Sequence, residues 1–151
     1  MKAKVLLLIV LLAFSPFCRV KEQPDQVWDI RGKMAALAES LTGLPYRLGG
    51  QDIDGFDCSG FCFYVYRCFG IDLPRTAGEQ AKLKGKVKLK KARAGDILAF
   101  KVKGKLHTAI FLAGDCFVHA PGRGSPVRKE CLNSFWRSCL KGVISLLGDK
   151  D

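Results

Sequence analysis

The sequence lacks the features that would place it among membrane-spanning or zinc-binding proteins. Its longest uninterrupted apolar run, residues 5–14, is shorter than a bilayer-spanning helix requires. Its seven cysteines include no CxxC pair, and each of its two histidines stands without a neighbour at metal-ligand spacing. We therefore expect no bound metal, and nothing in the sequence indicates a cofactor.

The sequence also shows no internal repeat, no linker and no second domain. Acidic residues are fewer than basic residues. The 151 residues include 25 Lys and Arg against 14 Asp and Glu, and the net charge of +11 favours polyanions. Ten of the basic residues, with one acidic residue, lie in residues 82–105. No aromatic residue separates the lysines of residues 82–90, which disfavours nucleic acid. This basic region is either a solvated strand face or a surface that binds an anionic cell wall or membrane.

The N-terminal segment has the composition of a signal peptide. Two lysines precede the apolar run, so we interpret residues 1–18 as a signal peptide, residues 19–27 as a short polar tether and residues 28–151 as one domain. This interpretation predicts export to the periplasm or cell envelope. Cys18 also permits a lipid anchor, although Phe17 before it is bulkier than lipoprotein signals prefer.

Cysteine number bears on how the exported chain would be stabilised. Export permits disulfide bonds. When Cys18 and Cys58 are set aside, five cysteines remain, so at least one must be unpaired within the chain. The cysteines therefore do not indicate a simple disulfide framework.

Hydrophobic periodicity predicts an α+β fold. Apolar residues at helical spacing predict helices over residues 28–41 and 58–69, which end at Gly43 and Gly70. The segment between them, "LPYRLGGQDIDGF", has neither period, and we interpret it as a loop. Alternating lysines and apolar residues over 82–90 predict a half-buried strand, and further strands are expected in "DILAFKV", "HTAIFLAGDCFVHA" and "GVISLL". The N-terminal helices would pack on a mainly antiparallel sheet.

The sequence "DGFDCSGF" places a cysteine at the start of the second predicted helix. If that helix begins at Cys58, Asp57 takes the N-cap position and can accept a hydrogen bond from a free backbone amide. The thiol then faces the positive end of the helix dipole, which stabilises a thiolate. We therefore interpret Cys58 as a reactive cysteine and Cys62, one turn later, as a packing residue.

The two histidines lie at opposite ends of a predicted hairpin. A thiolate catalyst needs a base, and the base needs a third group to orient it. With a three-residue turn at 113–115, His107 and His119 fall on one face as diagonal neighbours about 7–8 Å apart at the backbone. A two-residue turn would place them on opposite faces. Phe111 and Phe117 share their parity, so we expect this face to point inward, toward the helix.

Six segments in order resemble the landmarks of the NlpC family of cell-wall cysteine peptidases, which have a papain-like α+β fold. They are "PYRLGG", "GFDCSGF", "LPRTAGEQ", "AGDILAF", "HTAIFLAG" and "FVHAPGRG". The resemblance implies a catalytic triad in which Cys58 is the nucleophile, His107 the base and His119 the group that orients it. The chain departs from the usual family pattern at Ala94, Thr108 and Ala109.

The same resemblance suggests how a substrate would be held. Tyr46 and the backbone N–H of Cys58 would stabilise the oxyanion, and Asp57 and Ser59 would line substrate subsites. Arg75 is a further candidate for binding a substrate carboxylate, because arginine makes paired hydrogen bonds to carboxylates. A purely structural role for Arg75 is the alternative.

Family members cut peptidoglycan stem peptides, typically between D-glutamate and a diamino acid. The resemblance therefore implies an endopeptidase that hydrolyses the D-gamma-glutamyl–meso-diaminopimelate bond and has stem peptides as its partners. The N-terminal segment adds the expectation that the enzyme is exported, and we expect a monomer. An amidase or acyltransferase on the same scaffold is one alternative, and a non-catalytic, cysteine-rich envelope protein is another. A disulfide between Cys58 and Cys62 would abolish the activity.

Overall fold

The computed structural model describes residues 30–148. The proposed signal peptide, residues 1–18 with Cys18, and the tether, residues 19–27, lie outside the described residues, so those interpretations stay predictions. Within residues 30–148, no helix combines the length and the apolar character needed to cross a bilayer.

The described chain combines helices with a predominantly antiparallel sheet, which confirms the predicted α+β fold. In chain order the elements are α1 (Ile30–Ser40), β1 (Gln51–Asp52), β2 (Gly55–Phe56), α2 (Cys58–Arg67), α3 (Ala77–Gln80), β3 (Lys86–Val87), a 3₁₀ turn (Leu89–Lys91), β4 (Ile97–Val102), β5 (Lys105–Phe111), β6 (Cys116–His119), β7 (Arg128–Cys131), α4 (Ser134–Cys139) and β8 (Leu140–Ile144). Strands β1 and β2 pair with each other. The other six form one sheet in the order β3-β8-β4-β5-β6-β7, and every neighbouring pair is antiparallel.

Two segments differ from the sequence-based expectation. The predicted loop between the first two helices contains the short hairpin β1–β2. The predicted strand over residues 82–90 is wrong, because only Lys86 and Val87 pair with β8 and a 3₁₀ turn follows. Gly85 interrupts the extended backbone at φ +92°, and a Cβ there would lie 2.3 Å from the carbonyl oxygen of Ser145. The burial pattern still alternates, with the lysines exposed, so periodicity detected the burial but not the backbone path.

The sheet has a hydrophobic cluster on each face. Helices α1 and α2 cover one face, where Ile110 and Val118 point. Phe111 and Phe117 point to the opposite face and pack with Trp136 of α4. The expectation that the face bearing these two phenylalanines turns toward the helix is therefore wrong. Both faces of this hairpin are apolar, so alternation alone did not distinguish which face α2 covers.

A buried ion pair joins α1 to the start of β4. The Arg31 guanidinium donates to Asp96 Oδ1 at 2.7 Å, to the Ala94 carbonyl at 3.1 Å and to Ser145 Oγ at 2.9 Å. It also donates to the Leu147 carbonyl. Arg31 is 3% exposed and Asp96 is fully buried. One side chain therefore ties the first helix to the start of β4 and to the adjacent end of β8.

A disulfide joins neighbouring strands at the sheet edge. Cys116 of β6 and Cys131 of β7 are paired residues in the ladder, and their sulfur atoms are bonded. Among residues 30–148 four cysteines are free thiols, namely Cys58, Cys62, Cys68 and Cys139. The inactivating bond between Cys58 and Cys62 is therefore not formed.

We predict that Asp96→Asn lowers the free energy of unfolding by about 3–5 kcal/mol, because it leaves the Arg31 charge buried without its partner. Urea denaturation would measure this loss. The control is Glu39→Gln, which breaks the exposed Lys129–Glu39 pair and should cost no more than about 1 kcal/mol. Equal effects of the two variants would contradict the importance of burial.

Candidate active site

The glycine-rich loop is packed directly on the start of α2. Asp57 caps the helix, with Oδ1 accepting from the Gly60 amide at 2.7 Å and Oδ2 accepting from the Gly49 amide at 3.0 Å. Gly50 accepts a hydrogen bond from the Asp57 amide at 3.0 Å. A Cβ on Gly60 would lie 1.9 Å from the Gly50 carbonyl oxygen, so the close approach requires glycine. Cys58 is thereby fixed as the first residue of α2.

The Cys58 thiol is half-buried, and it lies beside β5. Burial raises its pKa, and the negative charge of Asp57 adds to this effect. Hydrogen bonds from the backbone of Thr108, of Ser59 and of Cys58 itself oppose the rise without reversing it. The helix start therefore does not ionise the thiol on its own, contrary to the expectation from the helix dipole. The resting group is a neutral thiol.

The two histidines form a hydrogen-bonded pair. His107 Nε2 lies 2.8 Å from His119 Nδ1, and the ring planes are nearly perpendicular at 87°. The hairpin register explains this contact, since Leu112 N donates to the Cys116 carbonyl across the predicted three-residue turn. Burial lowers the pKa of His107 to about 3, assisted by His119. Burial also lowers the pKa of His119, and both rings are therefore neutral.

The start of α2 meets β5 at Thr108, near the point where the pairing of β5 with β6 ends. The pairing of β5 with β6 includes Ile110 with Val118 and Phe111 with Phe117. It stops before Ala109 and His119, which would form the next pair. The backbone amide of Thr108 forms a hydrogen bond with the Cys58 sulfur, and Thr108 is the residue that follows His107 on β5. In the described chain no hydrogen bond joins the Cys58 thiol to the His107 ring. Such contacts commonly shorten only when a substrate is bound.

A second network holds this corner through α3. Gln80 is fully buried, and its Nε2 donates to the Ser59 carbonyl at 3.0 Å and to the Pro74 carbonyl at 2.9 Å. Its Oε1 accepts from the Thr108 hydroxyl at 2.9 Å. Thr108, one of the departures from the family pattern, thus has a polar partner. The pattern "TAGE" is a capping-box signature that identifies the start of α3, and the sequence analysis did not use it.

Arg75 is engaged by protein groups. Its guanidinium makes a paired contact with the Asp57 carboxylate at 2.9 and 2.8 Å, and it donates to Ser59 Oγ at 3.1 Å. Burial would raise the pKa of Asp57, but the hydrogen bonds from Arg75 and Gly60 lower it overall. Arg75 therefore keeps the capping carboxylate ionised, and its predicted contact with a substrate carboxylate stays a prediction.

Tyr46 lies near the thiol, at the edge of the loop. It forms an isolated bridge with Phe56, the residue before the Asp57 cap. Burial raises the pKa of Tyr46, the neighbouring Cys58 and Asp57 side chains raise it further, and the charge of Arg123 opposes them. The phenol therefore stays protonated and is available as a hydrogen-bond donor.

Sequence reasoning missed Glu130, which extends the histidine pair. Glu130 Oε1 lies 3.1 Å from His119 Nε2, and Oε2 accepts from Trp136 Nε1 at 2.7 Å. No local motif marks Glu130, because it meets His119 only through the pairing of β6 with β7. Within residues 30–148 no group of three or more His, Cys, Asp or Glu side chains is arranged to hold a metal ion.

A cysteine at a helix start and a hydrogen-bonded histidine pair on the neighbouring antiparallel sheet are the groups that a cysteine peptidase uses as nucleophile, base and orienting partner. The model of the NlpC/P60 family matches residues 43–145, about two thirds of the chain. The chain belongs to the NlpC/P60 family, whose members include peptidoglycan hydrolases.

Three similar proteins illustrate the relationship. The gamma-D-glutamyl-L-lysine dipeptidyl-peptidase of Bacillus subtilis is 39% identical over 56% of this chain and 30% of its own length. The murein DD-endopeptidase MepS/murein LD-carboxypeptidase of Escherichia coli is 30% identical over 72% of this chain and 59% of its own length. The crystal structure of the NlpC/p60 domain of the peptidoglycan hydrolase SagA is 33% identical, with a TM-score of 0.67 over 77% of this chain and 98% of that chain. The chain thus spans less than two thirds of the length of the Bacillus subtilis and Escherichia coli relatives.

We predict that iodoacetamide alkylates Cys58 at a rate that rises steadily between about pH 5 and pH 8, because burial keeps its pKa above the usual thiol range. Mass spectrometry of a Cys68→Ser/Cys139→Ser variant would follow this rate with fully buried Cys62 as the internal control. A rate that is already constant near about pH 6 would instead indicate a preformed thiolate.

Proposed function

We propose that this protein is a cysteine endopeptidase that hydrolyses peptidoglycan stem peptides, with Cys58 as nucleophile, His107 as base and His119 as its orienting partner. The observation that carries the proposal is the 2.8 Å hydrogen bond between His107 Nε2 and His119 Nδ1, next to the strand position that bonds Cys58. Family membership supports the reaction class.

The neutral resting state defines the first chemical step. His107 removes the thiol proton as the Cys58 sulfur attacks the scissile carbonyl carbon, which gives a tetrahedral oxyanion and an imidazolium. The C–N bond then breaks, the imidazolium gives its proton to the leaving amine, and an acyl-enzyme thioester remains. Water, deprotonated by His107, attacks the thioester carbonyl. The acid product leaves and the thiol takes back the proton.

Two donors beside the thiol are suited to the oxyanion. The backbone N–H of Cys58 belongs to the first residue of α2, where the helix dipole favours negative charge. The neutral Tyr46 phenol is the second donor. Each would strengthen its hydrogen bond as charge develops on the substrate oxygen.

The bond we propose is the one between the gamma-carboxyl of D-glutamate and the diamino acid, meso-diaminopimelate. The Bacillus subtilis relative is named for a gamma-D-glutamyl-L-lysine substrate, which supports this choice. Asp57 and Ser59, both bound by Arg75, would form the subsite wall next to the nucleophile. The Escherichia coli relative is named for other bonds, so the products must be identified directly.

We predict that Cys58→Ala abolishes cleavage of purified muropeptides and that His107→Ala lowers kcat by about 10²- to 10⁴-fold, because it removes the general base. Mass spectrometry of the products measures both effects and identifies the bond that is cut. Cys68→Ala, at an exposed cysteine, is the matched control and should retain full activity. Full cleavage by Cys58→Ala would rule out the mechanism, and cleavage at a different amide would favour the amidase alternative.

We also propose that the basic region 82–105 holds the protein against an anionic cell wall or membrane. Its lysines between 84 and 91 are all exposed, and none of them takes part in an ion pair within the described chain; they are Lys84, Lys86, Lys88, Lys90 and Lys91. Concentrated, unneutralised positive charge attracts polyanions in a salt-dependent way.

We expect the combined substitution of Lys84, Lys86, Lys88 and Lys90 by Gln to reduce co-sedimentation with purified cell walls or anionic vesicles at low salt. Because these lysines lie outside the candidate site, hydrolysis of soluble muropeptides should stay at the level of the unmodified protein. High salt should reduce binding of the unmodified protein in the same way. Unchanged sedimentation of the variant would identify the region as a merely solvated surface.

A further inference from the structure

We propose that Glu130 is a positioning residue whose carboxylate fixes the tautomers of both histidines and leaves His107 Nδ1 free to accept the thiol proton. The inference rests on the proposed function and extends the histidine pair to a relay of three groups, Glu130–His119–His107. No sequence motif and no relative described above assigns this role to Glu130.

Both ring nitrogens of His119 are occupied. Its Nδ1 lies 2.8 Å from His107 Nε2, and its Nε2 lies 3.1 Å from Glu130 Oε1. His119 is fully buried, so water does not compete for these positions. Every hydrogen on this ring must therefore be shared with His107 or with Glu130.

The direction of the hydrogen bonds follows from the carboxylate. An ionised carboxylate only accepts, so His119 Nε2 must carry the hydrogen that points to Glu130. In a neutral ring His119 Nδ1 then has a lone pair and must accept from His107 Nε2. His107 Nε2 therefore carries the hydrogen of its ring, and His107 Nδ1 keeps a lone pair. That nitrogen has no hydrogen-bond partner in the described chain, so it is the atom left for the thiol proton.

Three donors keep the Glu130 carboxylate ionised and in place. Trp136 Nε1 donates to Oε2 at 2.7 Å, and Arg128 Nε donates to Oε1 at 2.6 Å. Burial would raise the pKa of Glu130, but hydrogen bonds from Trp136, His119 and Arg128 lower it overall. The tautomer-setting group is therefore an anion in the folded protein.

An amide at this position would conflict with the relay. Both carboxylate oxygens accept hydrogen bonds, whereas glutamine offers one oxygen and an NH₂ donor. If the NH₂ faces Trp136, two donors oppose each other. If the NH₂ faces His119 Nε2, it also opposes the Arg128 donor that binds at Oε1, and the hydrogen of His119 moves to Nδ1 and donates to His107 Nε2. The hydrogen of His107 then moves to Nδ1, the atom that has to receive the thiol proton.

The test compares Glu130→Gln with Lys129→Gln. Lys129 is the preceding residue of β7, and its amine pairs with the exposed Glu39 away from the relay. We expect Glu130→Gln to lower kcat for muropeptide cleavage at least about tenfold with little change in KM, because the substrate contacts are unchanged. We expect Lys129→Gln to retain the kcat of the unmodified protein. Unchanged kcat in Glu130→Gln would overturn the proposal.

A spectroscopic measurement separates positioning from general support of the fold. The chain has only two histidines, so ¹⁵N-detected NMR of labelled protein shows just two imidazole rings. Unmodified protein should show hydrogen on Nε2 of both rings, and Glu130→Gln should shift hydrogen to Nδ1. A hydrogen on His107 Nδ1 in the unmodified protein would overturn the proposal even if the variant fails to fold. If the unmodified protein shows the expected tautomers but cleaves no muropeptide, the positioning inference stands and the proposed function fails.

Discussion

The Asp57 carboxylate is the interaction on which the candidate site depends. It accepts from two backbone amides, Gly49 in the loop and Gly60 in the helix, and from the Arg75 guanidinium. These bonds bring the glycine-rich loop, the start of α2 and the segment before α3 to one point. The position of Cys58 is therefore determined by the residue before it. Charge-assisted bonds of this kind are shorter and stronger than neutral ones, which suits a junction of three segments.

Burial sets the protonation states around that junction. Burial keeps the thiol and both imidazoles neutral. The neighbouring carboxylates of Asp57 and Glu130 are held by their own partners. In the proposed mechanism the proton therefore moves from sulfur to nitrogen as the substrate is attacked. The proposed mechanism differs in this respect from one that starts with a thiolate and an imidazolium.

Local patterns predicted the elements of the site well. The start of α2, its Asp57 cap and the hairpin parity that joins His107 to His119 all follow from spacing within one segment. Contacts between segments that are distant in sequence could not be predicted from such patterns. The pairing of Arg75 with Asp57 and of Glu130 with His119 depends on how segments pack, and no pattern within either segment encodes it. The raised pKa of the thiol was missed for the same reason, since burial is a property of the assembled fold.

The disulfide between Cys116 and Cys131 makes the support of the site dependent on redox conditions. The bond lies one residue from Glu130 on β7, which has a single neighbouring strand in the sheet. A covalent tie at this position restricts fraying of the edge, and it can close only where thiols become oxidised. Without the disulfide, β7 would be held only by non-covalent contacts, namely its ladder with β6 and the side-chain bonds of Lys129 and Glu130. Full support of the buried imidazoles thus depends on closure of this bond, and therefore on the redox conditions around the protein.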